Sequence, residues 1–121
     1  MTMNSVGDSS GMLLRLMSAS ALRAKVLSEN IANQNVPGYK RQFVRFEDLL
    51  AEKLAHGARS LDGVVPKIET DFATPASPDG NNVSLEVEAN AMRENSLLYQ
   101  TYAAILQTKH EMMRSSIMEG R

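Results

Sequence analysis

The sequence predicts an all-α protein built on two long coiled-coil-like helices, one N-terminal and one C-terminal, with a short helix and a partly disordered middle loop. Three observations predict it. Apolar side chains recur at alternating steps of three and four from Met12 to Asn33, and again from about Ser84 to Met118, which is the spacing of a helix face. Between these stretches, residues 57–82 hold three of the four prolines (Pro66, Pro75, Pro78) and three of the seven glycines (Gly57, Gly63, Gly80), chemistry that punctuates a helix rather than continues it. Aromatic residues make up only 5% of the 121 and Trp is absent. One domain at most fits this length, and elongated helices packed through Ala and Met are expected instead of a large globular core.

Charge and composition exclude several function classes. Thirteen basic and fourteen acidic residues leave a formal charge of -1, which argues against a nucleic-acid binder that works by phosphate neutralisation. Cysteine is absent, so neither a disulfide framework nor a thiolate metal site exists. The apolar run from Met12 to Met17 is interrupted by Arg15, with Arg23 and Lys25 soon after, so no membrane span and no ordinary cleavable signal peptide is expected.

In chain order, residues 1–11 are small and polar and are expected to form a disordered N-terminal tail ending near Ser9, Ser10 and Gly11. Residues 12–56 hold the first helix, a corner and a short helix. Leu13, Met17, Ser20, Ala24, Leu27 and Ile31 form one seam over some 22 residues, roughly 33 Å of helix. Met12, Ala19, Leu22 and Val26 form a second stripe on another face. Two apolar faces on one helix call for two partners. Pro37 and Gly38 then end the helix: Pro fixes its φ and pushes Val36 toward an extended conformation, while Gly can take the positive φ of a tight reversal. Beyond the corner, Phe46, Leu49, Leu50 and Leu54 have helical spacing behind acidic Glu47 and Asp48, which predicts a short helix from about Phe46 to His56 that folds back as a hydrophobic staple.

Residues 57–82 read as a flexible segment, in which Val64, Val65, Ile68 and Phe72 could form a brief edge strand around Pro66. Residues 83–121 read as the long C-terminal helix, with Glu86 and Glu88 placed to complement its dipole. Its seam is Leu85, Ala89, Met92, Ser96, Tyr99, Ala103, Leu106, His110, Met113 and Ile117, and Leu98, Tyr102, Ile105 and Met112 line the adjacent row. At roughly 50 Å this helix is too long for the first to cover, so part of its surface is left for neighbours.

Two strings carry a family resemblance. Asn30-Ile31-Ala32-Asn33 followed by Pro37-Gly38-Tyr39-Lys40-Arg41 resembles the N-terminal signature of the bacterial flagellar axial proteins, the rod and hook family, departing from it at Gln34 and Val36. Asp79-Gly80-Asn81-Asn82-Val83, with Glu86, Glu88 and then Glu94-Asn95-Ser96-Leu97-Leu98-Tyr99, is similar to the C-terminal region of its proximal rod members. The resemblance implies a structural subunit of the proximal rod of the bacterial flagellum basal body. Such a subunit is exported by the flagellar type III apparatus into the periplasmic rod, where it assembles helically, transmits torque and supports motility. The implied partners are other rod proteins, further copies of the chain, and the adaptor at the rod base near the MS ring and export gate. Asn30, Ile31, Asn33, Pro37, Gly38 and Tyr39 are the expected corner residues, and Leu98, Tyr99, Tyr102, Ile105 and Leu106 the expected helix-packing residues. The resemblance also makes Phe46 and Leu50 a candidate export signal, an aromatic followed four residues later by an aliphatic.

No catalytic constellation accompanies these motifs. His56 and His110 are isolated, and a calcium loop counted from Asp79 fails because Ser84 and Asn90 stand where Gly and a bidentate Glu are needed. No cofactor and no enzyme activity is expected. The alternative function is a cytoplasmic helical adaptor or export chaperone that binds partner helices through Met-rich faces.

Overall fold

The computed structural model describes residues 2–57 and 63–120. In chain order it contains α1 (Thr2–Ala32), β1 (Gln42–Arg45), α2 (Glu47–Ala55), β2 (Lys67–Thr70) and α3 (Leu85–Glu119). The mostly helical class and the pairing of the two terminal helices are as expected. At 31 and 35 residues, they extend about 46 and 52 Å. They run antiparallel: Asn30 meets Glu88, Asn95 meets the Ser20 carbonyl, and Met17 shares a groove with Ala103 and Leu106.

Helix α1 begins at Thr2, well before Met12, so most of the stretch expected to be a tail continues the helix. No Pro lies there to stop it, and Gly7 and Gly11 each cost only an intrinsic ~1 kcal/mol relative to Ala. The two apolar faces of α1 do find two partners, both within the chain. Met17, Ser20 and Ala24 line grooves shared with α3. On the other side Ala19 is fully buried in a cluster with Phe46, Leu50 and Val64, joined by Met12, Leu16 and Leu49.

A small sheet is added to the predicted architecture. β1 pairs antiparallel with β2 in the register Gln42 to Thr70, Phe43 to Glu69, Val44 to Ile68 and Arg45 to Lys67. β1 was not expected, because four residues are too short to show a period. β2 begins just after Pro66, which cannot donate to a ladder, and so occupies only part of the expected Val64 to Phe72 strand. Of the segment expected to be flexible, 58–62 lie outside the described residues, and 67–82 carry a dense set of hydrogen bonds. Helix α2 folds back along α1 as predicted. It is tied there by Arg23 Nη1 and Nη2, which donate to Glu47 at 2.9 and 2.6 Å.

Among the described residues the interior is nearly as polar as apolar. Eight buried apolar residues (Leu13, Ala19, Val26, Leu27, Val44, Phe46, Leu50, Val64) stand beside seven polar or charged ones (Ser20, Asn30, Asp71, Asn81, Asn82, Glu88, Asn95). Such an interior needs its polar atoms paired, and among the described buried side chains Ser20 Oγ and Asn95 Oδ1 are left without a partner. Five of these seven residues lie at one end of the molecule, where α1 stops and α3 starts. Among the described residues no helix is long and apolar enough to cross a membrane.

Candidate functional site at the helix-end corner

The corner begins with the unsatisfied carbonyls that every helix end presents. The Asn33 amide is shared between the carbonyls of Glu29 and Asn30 at 3.1 and 3.2 Å, and Asn33 Nδ2 donates back to Glu29 O at 2.7 Å. Val36-Pro37-Gly38-Tyr39 then closes a turn in which Tyr39 N donates to Val36 O at 3.2 Å, with Gly38 at φ 78°. This is the type II turn that Pro-Gly encodes.

The second motif docks on that turn. Asn81 Nδ2 donates to the carbonyls of Asn33 and Val36 at 2.9 and 2.8 Å, while Gly38 N donates to Asp79 O at 2.8 Å. Gly80, also at positive φ (88°), lies so near that a Cβ there would meet the Gly38 Cα at 3.2 Å. Lys40 Nζ donates to the Gly80 carbonyl. The two strings that carry the family resemblance, 40 residues apart in the chain, therefore form one interface.

Asn30, with no exposed surface, organises the floor. Its Oδ1 accepts from Tyr39 OH at 3.1 Å and from Gln42 N at 2.9 Å, and its Nδ2 donates to Gln42 O at 2.8 Å and Glu88 Oε2 at 3.1 Å. All four hydrogen-bonding capacities of the amide are used. Arg41 Nε donates to Glu88 Oε1 at 2.5 Å and Arg41 Nη1 to Asp71 Oδ2 at 2.9 Å. Asn82 closes the ring: its Oδ1 accepts from Arg41 N at 2.6 Å and its Nδ2 donates to Asp71 O at 2.8 Å.

The electrostatics follow from these contacts. Asp71 Oδ2 accepts from the Thr74 hydroxyl at 2.6 Å and Oδ1 from the amides of Thr74 and Ala73 at 3.0 and 2.8 Å. Together with Arg41, these donors hold its carboxyl well below the usual carboxylate range. Burial works against the Arg41 charge, but its bonds to Glu88 and Asp71 outweigh it and raise the guanidinium above its ordinary value. Burial, then the nearby Glu29 carboxylate, raises the Tyr39 phenol. Among the described residues no group of three or more His, Cys, Asp or Glu could hold a metal ion. The arrangement joins elements rigidly and presents no nucleophile with a base.

The expected site residues divide in two. Asn30, Asn33, Gly38 and Tyr39 sit at the corner with Ile31 half-buried beside them and Pro37 exposed on the turn. Leu98, Tyr99, Tyr102, Ile105 and Leu106 lie further along α3. Tyr102 and Leu106 are half-buried, and Leu98, Tyr99 and Ile105 are 37%, 41% and 41% exposed. Phe46 and Leu50 are 1% and 5% exposed, inside the cluster under α1.

Arg41, Asp71, Asn81, Asn82 and Glu88 were not singled out as site residues. Glu88 was read as a dipole-complementing acid, yet it is wholly buried and paired with Arg41 and Asn30. The heptad step from Glu88 to Asn95 and Tyr102 puts it on the inward row of α3, the one sequence signal that could have marked it.

Comparisons with known proteins point to one family. The family described as "Flagella basal body rod protein" matches residues 17–40, the second half of α1 and the turn beyond it. The flagellar basal body rod protein FlgB of Yersinia enterocolitica is 30% identical, over 83% of this chain and 86% of its own. The proteins of the same name from Cereibacter sphaeroides and Bacillus subtilis are 36% and 26% identical, over 69% and 87% of this chain and 73% and 89% of theirs. With the shared stretch falling on the helix end that the buried polar ring secures, and the likeness running through most of both chains, this chain belongs to the flagellar basal body rod proteins, a structural and non-enzymatic family.

Proposed function

We propose that the chain is a structural subunit of the proximal rod, exported by the flagellar type III apparatus and assembled into a helical rod that transmits torque. One observation carries this reading. α3 keeps a large apolar surface outside the fold, with Leu97 65%, Met112 66%, Ile117 62% and Met118 67% exposed along the same helix as Leu98 and Ile105. A monomer gains nothing from such a surface, whereas subunits repeated by a non-closing rotation bury it between neighbours and grow a rod. Leu98, Tyr99 and Ile105 face those neighbours, which are other rod proteins and further copies of this chain. At the rod base, the adaptor near the MS ring and the export gate takes the place of a neighbour. Torque passes through helix packing alone, and the corner residues keep the two helices from shearing.

In this reading Phe46 and Leu50 act as the export signal before folding, since both are buried once the chain is folded. The division of the chain at 56/57 and 82/83 separates the corner and short helix from the connecting segment and the long helix.

Purified basal bodies test the reading. Deleting the chain is expected to remove the proximal rod, and a tagged copy is expected to locate there. A complete rod in the deletion strain would reject the proposal in favour of a cytoplasmic adaptor or chaperone. Secretion of a chain lacking residues 46–50 at the normal rate would reject the export signal alone.

A further inference from the structure

Residues 67–82 are held mainly by the corner that follows α1 and by β1, and Arg41 of that corner is tied in turn to Glu88 of α3. Asp71 bonds to Arg41 through its carboxylate at 2.9 Å, and its amide donates to Arg41 O at 2.9 Å. Asn82 N donates to Tyr39 O at 3.3 Å, and Asn81 Nδ2 donates to Asn33 O and Val36 O, just beyond the end of α1. Arg41 is itself oriented by Glu88 on the first turns of α3, and Glu88 by Asn30 on the last turn of α1. The same segment carries an apolar surface of its own, with Val65, Ile68 and Phe72 57%, 49% and 80% exposed. On the same face of the sheet as Ile68, its cross-strand partner Val44 is buried, and Val64 joins the α1 cluster.

We propose that Asn30, Arg41, Asp71 and Glu88 form a latch that makes pairing of α1 with α3 the condition for ordering residues 67–82. The exposed Ile68 and Phe72 side chains are then held in place only in a chain whose terminal helices have already closed. Without Glu88 in place, Arg41 loses the acceptor that fixes it and must be buried with one partner in two. Asp71 then loses the bond that draws the return strand onto the corner. The dependence runs both ways, as any coupling between two ordering events must. The coupling stands on this geometry and not on the rod reading, so it is tested on the isolated full-length chain.

Hydrogen exchange read by mass spectrometry tests it. In Glu88→Gln, amides of 67–82, with Asp71, Asn82, Ala73 and Thr74 as reporters, are expected to exchange at least about ten-fold faster than in the unmodified chain. In Asp71→Asn, the last turn of α1 and the first turns of α3 are expected to open as well, which simple local damage to the turn would not produce. Met118→Ser, at the exposed far end of α3, is expected to leave 67–82 unchanged. Should Glu88→Gln be unfolded throughout, Arg41→Lys is the substitute, because it keeps the charge but cannot span both carboxylates. Unchanged exchange in 67–82 in the Glu88 or Arg41 variant would overturn the proposal. So would opening of 71–82 in Asp71→Asn with both helix ends unmoved.

Discussion

The two ends of the paired helices are built on opposite principles. At the corner, every polar group of Asn30 has a fixed partner, and the Arg41 guanidinium is shared between two carboxylates. At the other end, α3 from Glu111 to Glu119 is exposed throughout and carries Met112, Met113, Ile117 and Met118. Hydrogen bonds are directional and fail when geometry slips, whereas dispersion contacts of unbranched Met tolerate many arrangements. The molecule fixes its internal geometry at one end and leaves an adaptable surface at the other.

The largest expected effect breaks the first half of that contrast. Glu88→Ala leaves Arg41 and Asn30 facing an empty buried space and is expected to destabilise the isolated chain by about 3–5 kcal/mol, measured by urea or thermal unfolding. Gly80→Ala comes next, at about 1–3 kcal/mol, because Ala must adopt the positive φ and press its methyl on Gly38. The Ser84 hydroxyl accepts from Val87 N as the cap of α3, and Ser84→Ala is expected to cost about 1 kcal/mol. The smallest effect falls at the adaptable end. Replacing both Met112 and Ile117 by Ser is expected to move the stability of the isolated chain by less than about 0.5 kcal/mol while impairing incorporation into rods. A stability loss at this end as large as that of Glu88→Ala would erase the distinction.

Acid sharpens the comparison. The Asp71 carboxyl is depressed in the folded chain, so its contribution to stability is complete above the ordinary carboxylate value of about 4 and is lost as pH falls below it toward the lower folded value. Urea unfolding across that range is expected to fall less steeply in Asp71→Asn than in the unmodified chain.

Much of the helical frame was legible because its signals are local and repeated. The seam through Leu13, Met17, Ser20 and Leu27, the Pro37-Gly38 stop and the start of α3 at Ser84 each follow from spacing or from backbone chemistry within a few residues. The short strands were not legible in full, since four residues of β1 show no period and its partner arrives some two dozen positions later. The corner was half legible. Asn30, Asn33 and Tyr39 stand in a recognisable string, but their pairing with Asn81, Asn82 and Glu88 exists only in three dimensions. A buried Glu looks the same in sequence as an exposed one at a helix start. The beginning of α1 at Thr2 was missed for a different reason: small polar residues neither forbid a helix nor advertise one.

The bond between Asn30 and Glu88 spans 58 positions of chain, and that between Asn95 and the Ser20 carbonyl spans 75. Helix α1 is synthesised well before α3, the partner of one of its long faces. Until α3 is made, that face has nothing of its own to lie against. The pairing of α1 with α3 is therefore a long-range closure that must wait for everything between the two helices to be made.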